Sequence, residues 1–316
     1  MPVIALDLGG TKLAAALFSD NGDILFKTNN SLDKKRGTEV GDLIAQQVNE
    51  LLSKAEKMNE DVSAIGICVP GIAHAKTGRV WAPNIAGWDD YPLLDHLHRS
   101  VTNRKVEIKI DSDRACYILG EVWKGNARGC IDAIFLAVGT GIGAGILVNN
   151  EVLRGSNDIA GAIGWMALDK PFREKYISCG DFEYNASGEG IVKVANEMLN
   201  SNGYNESVLK KINPGELSAK DIFESYETGD ELSKRIIANA IGCWGMAAAN
   251  LVSLFNPEKI IFGGGVFGPA LKFLDMIYDE AKKWAQPISI QQVKFQGSAL
   301  GNDAGLYGAG LLALKD

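Results

Sequence analysis

Glycine most narrows what this chain can fold into. There are 36 glycines, and they cluster at Gly9-Gly10, Gly139 to Gly145, Gly161 and Gly164, Gly263 to Gly265, and Gly301 to Gly310. Each cluster follows or precedes a short apolar run. Glycine is needed where backbone turns tightly or lets a ligand approach closely. Repeated at strand ends, such loops predict a cleft lined by backbone, as phosphate sites usually are.

The apolar runs between these loops read as an α/β chain. Residues 3–7 form a short strand ending on an acid and two glycines, with 12–18 as hairpin partner and 24–28 as a third strand. Residues 40–58 carry helical spacing through Val40, Leu43, Ile44, Val48, Leu51 and Leu52. Residues 64–69 form a buried strand closed by Pro70-Gly71, and 106–110 a half-buried one, before a helix over 115–123. The pattern then restarts, with a strand at 133–138, the turn Gly139-Thr140-Gly141 and a partner at 142–148. A long apolar helix over 236–255, a strand at 259–262, an amphipathic stretch at 270–284 and a Gly/Ala-rich helix at 303–314 complete the chain. Two α/β domains of similar plan are expected, facing each other across a nucleotide cleft, with a hinge near 111–116. The domains would be 1–113, with the helix at about 302–316 packing back on it, and 114–301. At about 150 residues per domain, 316 residues agree with two.

Composition removes several function classes. A formal net charge of −7 lacks the basic footprint of a nucleic-acid binder. No uninterrupted apolar run approaches the roughly 18 residues of a membrane span. The N-terminus lacks the basic and apolar regions of a signal peptide. The 5 cysteines have no CxxC spacing, which reads as reduced thiols in a cytoplasmic protein. Of the histidines, His96 and His98 are expected to be solvated.

Asp7-Leu8-Gly9-Gly10-Thr11-Lys12 is the first candidate site. An acid at a strand end can hold magnesium through its water shell. The glycines let backbone N–H groups reach phosphate oxygens, and Thr11 and Lys12 add a hydroxyl and a charge. Asp111-Ser112-Asp113 is the second, ending a strand and opening a helix. Asp113 reads as either a helix N-cap or a general base, and Asp111 as either a rival base or a surface acid.

Together with Val69-Pro70-Gly71, Ala82-Pro83-Asn84, Gly87-Trp88, Gly139-Thr140-Gly141-Ile142-Gly143, Ala186-Ser187-Gly188 and Asp303-Ala304-Gly305, these strings resemble the ROK family. That family contains sugar kinases of the two-domain actin-like ATPase (ribonuclease H-like) fold, with a nucleotide and sugar cleft between the domains. The resemblance implies that Gly9, Gly10, Thr11, Lys12, Gly139, Thr140, Gly141 and Gly143 grip ATP phosphates, with Asp7 near magnesium. It lays Gly263, Gly264 and Gly265 against the adenosine, with strand-to-helix punctuation as the alternative. Spacing back from Gly120-Glu121 puts the family's catalytic aspartate on Asp113 and a sugar-binding asparagine on Ser112. Asn84 and Glu183 fall on further sugar contacts.

The chain departs from the family in its sugar loop and its zinc motif. Ala162 replaces a sugar-binding glutamate, and Trp165 replaces a histidine that binds sugar and zinc. The zinc cysteines fall on Glu174, Tyr176 and Asp181, so no structural zinc is expected. Trp165 is expected either to stack on a pyranose face or to fill core space left by histidine and zinc. The resemblance implies an ATP- and Mg2+-dependent kinase that phosphorylates a hexose or modified hexose, at O6, with Asp113 as base. A degenerate, non-catalytic sugar-binding regulator is the alternative. A winged-helix repressor is disfavoured, because the first phosphate loop begins at Asp7. A cytoplasmic homodimer binding neither nucleic acid nor membrane is expected, and Trp81 and Trp88 read either as exposed aromatics or as packing of the loop near the sugar site.

Overall fold

The computed structural model describes every residue except 104, 202, 203, 205, 214 and 316. In chain order the elements begin with β1 (Val3–Leu8), β2 (Lys12–Phe18), β3 (Ile24–Ser31), α1 (Thr38–Lys57), β4 (Ala64–Val69), β5 (Ile72–His74), β6 (Arg79–Trp81), α2 (Leu93–Ser100), β7 (Glu107–Ser112) and α3 (Asp113–Lys124). Next come β8 (Ala133–Val138), β9 (Ile142–Val148), β10 (Glu151–Val152), α4 (Asp181–Ala186), α5 (Gly188–Leu199), α6 (Ala219–Glu227) and α7 (Glu231–Phe255). Last are β11 (Lys259–Gly263), α8 (Leu274–Lys282), α9 (Ser289–Gln292), β12 (Lys294–Gly297) and α10 (Ala304–Leu314). The chain divides into two compact units. One holds Met1–Gly129, Val152–Ala160 and Ala299–Asp316, and the other Cys130–Glu151 and Gly161–Ser298. The boundary expected at 111–116 falls inside the first unit, because β7 runs directly into α3 and α3 packs along α10.

In the first unit the sheet order is β3-β2-β1-β4-β7, with β1, β4 and β7 parallel and the β1–β2–β3 pairs antiparallel. Alternation decides which residues meet which helices. Ile4, Leu6 and Leu8 of β1 join the cluster with Val40, Ile44 and Val48 of α1 and Leu97 of α2. Val3 and Ala5 face the other way, toward Cys116 of α3 and Leu306 and Ala309 of α10. This second face is built from small residues because α10 lies directly on it. A Cβ on Gly66 would sit 1.9 Å from the Ala309 carbonyl oxygen, and one on Gly308 would sit 1.8 Å from that of Cys116. Close packing of this kind leaves no room for a single methyl group.

The second unit repeats the plan. Its sheet order is β10-β9-β8-β11-β12, with β8 and β9 antiparallel and β8, β11 and β12 parallel. The strand, glycine hairpin, strand motif therefore occurs twice, as the sequence reading expected. Helix α7 starts five residues before its apolar pattern. Asp230 caps it through Ser233 N–H at 2.9 Å, and the first turn is mostly polar. By length and composition α7 could cross a bilayer, although the sequence reading found no such run. Its residues Ile236, Ile237, Ala240, Trp244, Ala247 and Ala248 are buried in the core of this unit. The expected amphipathic stretch at 270–284 is split, with a 3-10 turn at Pro269–Phe273 preceding α8.

The open reading of the two tryptophans is decided differently for each, and the expectation for His96 is corrected. Trp88 is fully buried, stacked on Tyr91 with ring centroids 4.6 Å apart, and its indole N–H donates to the Gly37 carbonyl at 2.9 Å. Of these two tryptophans, Trp81 is the exposed one. His98 is exposed, but His96 is tucked between the Tyr91 hydroxyl, 3.0 Å away, and the Asp42 carboxylate, 3.1 Å away.

Candidate active site

The first unit carries the acid chemistry. Asp7 sits near the end of β1, beside Cys68 in the parallel register with β4. The hairpin after it is closed by the Gly9 N–H donating to the Lys12 carbonyl at 2.9 Å, which leaves Gly10, Thr11 and Lys12 exposed. Burial pushes the Asp7 carboxyl up to about 6, against opposing pulls from the Cys68 thiol and the Lys12 charge. Gly305 makes room for Asp7, since a Cβ there would fall 2.6 Å from Oδ2. The start of α10 is held by an ion pair of 2.7 Å between Lys27 and Asp303. Exposed Asn84 lies beside the hairpin, with its Cβ 3.8 Å from where a Gly10 Cβ would be.

The two candidate bases have different surroundings. Asp111 is buried, not a surface acid, and it pairs with Arg154 while accepting the Ser112 N–H at 2.8 Å. Its pKa is raised by burial, with the Arg154 charge opposing. That carboxylate is committed to tying residues 152–160 to β7. Asp113 is half-buried at the first position of α3. The N-cap is Ser112, whose Oγ accepts the Ala115 N–H at 3.4 Å, so the capping role read for Asp113 belongs to its neighbour. Burial pushes Asp113 up to about 6; the Arg114 charge and N–H oppose this, and nearby Asp7 adds to it. The Arg114 guanidinium is held 3.2 Å from the Gly71 carbonyl oxygen. Gly71 has φ 82°, and a Cβ there would strike the Trp81 carbonyl at 2.2 Å, which explains the glycine. A carboxyl that titrates near neutrality is suited to take up a proton at physiological pH.

The second unit carries a glycine loop and a cavity. In the turn between β8 and β9 the Gly139 N–H donates to the Gly141 carbonyl at 2.9 Å, and Gly143 pairs with Ala137. The loop is gripped from two sides. The Gly188 N–H at the start of α5 donates to the Gly139 carbonyl at 2.7 Å. Glu183 of α4 accepts the Ile142 N–H on Oε2 at 2.7 Å, and burial raises its pKa. Glycine at 141 and 164 leaves space for that carboxylate. Beside the loop opens a cavity of about 900 Å³, walled by Thr140, Gly188, Val192, Phe223, Val266 and Pro269. Of the Gly263–Gly265 run, only Gly265 lines it. Gly263 and Gly264 are glycines because a Cβ would strike the Phe135 ring at 2.3 Å and the Val138 carbonyl at 2.4 Å.

Trp165 ends a 3-10 turn at Ile163–Trp165 and is 58% exposed, so it is not core filling. Of the positions that the resemblance assigns to zinc ligands, Glu174 is exposed and Tyr176 is buried in an aromatic cluster with Phe172 and Tyr184. Asp181 is buried and accepts the Leu168 and Asp169 N–H groups. Among the described residues no group of three or more His, Cys, Asp or Glu is placed to hold a metal by itself. Sequence reasoning missed the walls from α5 and α6, whose residues are ordinary helix formers. It also missed the hydrogen bonds that Asp181 accepts from the Leu168 and Asp169 N–H groups, because backbone donors leave no mark in the sequence.

A strand order repeated in two units, each opening on a glycine hairpin, defines the actin-like ATPase fold. The chain belongs to the ROK family, whose model matches residues 3–316. It is 32% identical to a glucokinase of Halalkalibacterium halodurans, over 98% of this chain and 94% of that one. Among solved structures it is similar to a ROK hexokinase from Thermus thermophilus, at 27% identity and TM-score 0.81 over 99% and 98% of the two chains. It is also similar to a ROK family glucokinase from Streptomyces griseus in complex with glucose and AMPPNP, at 28% identity and TM-score 0.78 over the full length of both.

Proposed function

We propose that this protein is an ATP:sugar phosphotransferase that moves the γ-phosphoryl group of ATP to a hexose or modified hexose, at O6, with Asp113 as general base. The observation that carries the reading is the Asp113 carboxyl, pushed up to about 6 by burial, while its rival Asp111 is committed to Arg154. Full-length likeness to the Halalkalibacterium glucokinase supports the reaction class.

In this reading Asp113 accepts the proton of the attacking hydroxyl, and Lys12 balances phosphate charge. The Gly9–Thr11 hairpin, exposed at Gly10 and Thr11, and the Gly139–Gly143 loop present to phosphate oxygens the backbone N–H groups that their own turns do not use. The cavity beside Thr140 takes the nucleoside, because its apolar walls suit a flat heteroaromatic base and its size lies in the usual range of ligand sites. Asp7 fits a magnesium ion, since its buried carboxyl has no lysine or arginine ion pair among the described residues and a cation beside it would favour ionisation. Magnesium would be held there through its water shell and would supply neutralisation of phosphate charge. Asn84, Glu183 and Trp165 are the sugar contacts, and Ser112 shapes the approach to Asp113 through its cap. The enzyme works as a cytoplasmic homodimer on this reading, and light scattering on the purified protein tests the stoichiometry.

The test of the reaction is ADP release from Mg-ATP against a panel of glucose, mannose, fructose, amino and N-acetylated hexoses and glycosides. NMR of the product identifies the phosphorylated hydroxyl. Turnover with one sugar that is lost in Asp113→Ala supports the proposal. Turnover that survives Asp113→Ala removes Asp113 as base.

A further inference from the structure

We infer that Asp181 is a positioning residue for the sugar subsite, holding the segment 161–169 and therefore Trp165 against the helix that carries Glu183. The inference rests on the kinase reading above. Asp181 is buried, and its carboxylate has no lysine or arginine ion pair among the described residues. It is satisfied by N–H donors instead. Oδ2 accepts the Leu168 N–H at 2.8 Å and the Asp169 N–H at 3.0 Å, and Oδ1 accepts the Asn185 side-chain amide at 2.7 Å. A buried carboxylate is tolerated when hydrogen bonds satisfy it, and charge-assisted bonds are the strong ones.

The two backbone bonds act on one segment, and the Asn185 amide holds the carboxylate from its own helix. The Phe182 N–H donates to the Met166 carbonyl at 3.2 Å, next to the two bonds that Asp181 receives. Gly180, with φ 85°, lets the backbone of Trp165 approach so closely that a Cβ would fall 2.5 Å from its Cα. At the other end the Ala144 N–H of β9 donates to the Gly161 carbonyl at 2.8 Å. The segment is therefore fastened at both ends, and between them an indole is exposed. An aromatic ring kept exposed on a fastened turn offers a fixed face for the C–H side of a sugar ring. Two residues beyond Asp181, Glu183 grips the Ile142 N–H of the glycine loop. Asp181 thus sets Trp165 relative to Glu183 without itself touching substrate. Removing the carboxylate orphans the Leu168 and Asp169 N–H groups, whereas the Asn185 amide keeps the Asp181 carbonyl at 2.9 Å, and the turn loses its register with α4.

The experiment compares wild type, Asp181→Ala and Asp181→Asn by steady-state kinetics and by hydrogen exchange. Asp181→Ala is expected to raise the sugar KM by about tenfold or more, with the ATP KM within about twofold. Asp181→Asn keeps one acceptor oxygen and the shape, so its sugar KM lies between the two. In exchange, peptides covering 166–169 lose protection in Asp181→Ala while those covering 139–143 do not. A sugar KM unchanged in Asp181→Ala, or an ATP KM rising in parallel, overturns the inference. So does unchanged protection at 166–169. If wild type phosphorylates no sugar, the kinase reading fails, and the exchange result still decides whether Asp181 fastens the turn. Should Asp181→Ala not fold, Asp181→Asn carries the same comparison.

Discussion

Replacing Asp113 by asparagine should damage activity and stabilise the protein. The folded carboxyl titrates at about 6, against an ordinary value of 3.8, chiefly because burial disfavours the charged form. A folded pKa above the unfolded one means that the protonated group favours the fold. That contribution is fully present below about 3.8 and is lost as pH rises through about 6. At pH 7.5 the ionised carboxylate is therefore a strain on the fold. Each unit of pKa corresponds to about 1.4 kcal/mol, so the gap bounds the effect at about 3 kcal/mol. Partial access to water reduces it, and a gain of about 1–3 kcal/mol is expected for Asp113→Asn at pH 7.5. Asparagine mimics the protonated acid and keeps an acceptor for the Arg114 N–H, which Asp113 now accepts at 2.8 Å. Loss of a general base should lower kcat/KM by roughly a thousandfold. Thermal melts at pH 7.5 and pH 4 test the stability, and coupled ADP release tests the rate. The asparagine variant should melt several degrees higher at pH 7.5, and the difference should close in acid. A variant that is no more stable at pH 7.5, or whose advantage persists unchanged at pH 4, refutes the reasoning.

Other substitutions probe the rest of the site and the packing. Arg114→Ala removes the charge that opposes the rise of Asp113, so the acid limb of the kcat/KM profile should move to higher pH; a shift to lower pH would contradict the assignment. Glu183→Gln keeps an acceptor for the Ile142 N–H, whereas Glu183→Ala loses it, so only the alanine variant should raise the ATP KM, which kinetics at saturating sugar would read. Trp165→Ala should raise the sugar KM and leave the melting temperature within about a degree, because exposed side chains contribute little to stability. Gly308→Ala should cost about 1–3 kcal/mol through overpacking against the Cys116 carbonyl, whereas Gly242→Ala in open space on α7 should gain up to about 1 kcal/mol; chemical denaturation ranks the pair.

Where a residue's signal is local, the sequence was sufficient to read it. The acid, glycine and threonine string after residues 3–7 does mark a hairpin, and its restart at Gly139 does mark a second sheet of the same order. The spacing of α1 was legible because one face is buried and the other is wet. Helix α10 gave no such pattern, because it is buried against both the sheet and α3. Two tryptophans seven residues apart, Trp81 and Trp88, look alike in sequence, and only the Gly37 carbonyl and the Tyr91 ring separate them. Likewise Asp111 and Asp113 are equivalent acids until Arg154, more than forty residues away, selects one of them. The Asp181 carboxylate was read only as a missing ligand, because its donors are backbone groups that have no sequence signature.

The place of α10 in the chain bears on how the protein is made. Gly66 on β4 and Gly120 on α3 both lie against its backbone, yet it is translated after the whole of the second unit. While the ribosome is still working, the small-residue side of the first sheet has only α3 to cover it. The middle of the gene can fold before the beginning does. A stalled nascent chain lacking residues 304–314 would therefore present a compact second unit and a first unit still open to chaperones.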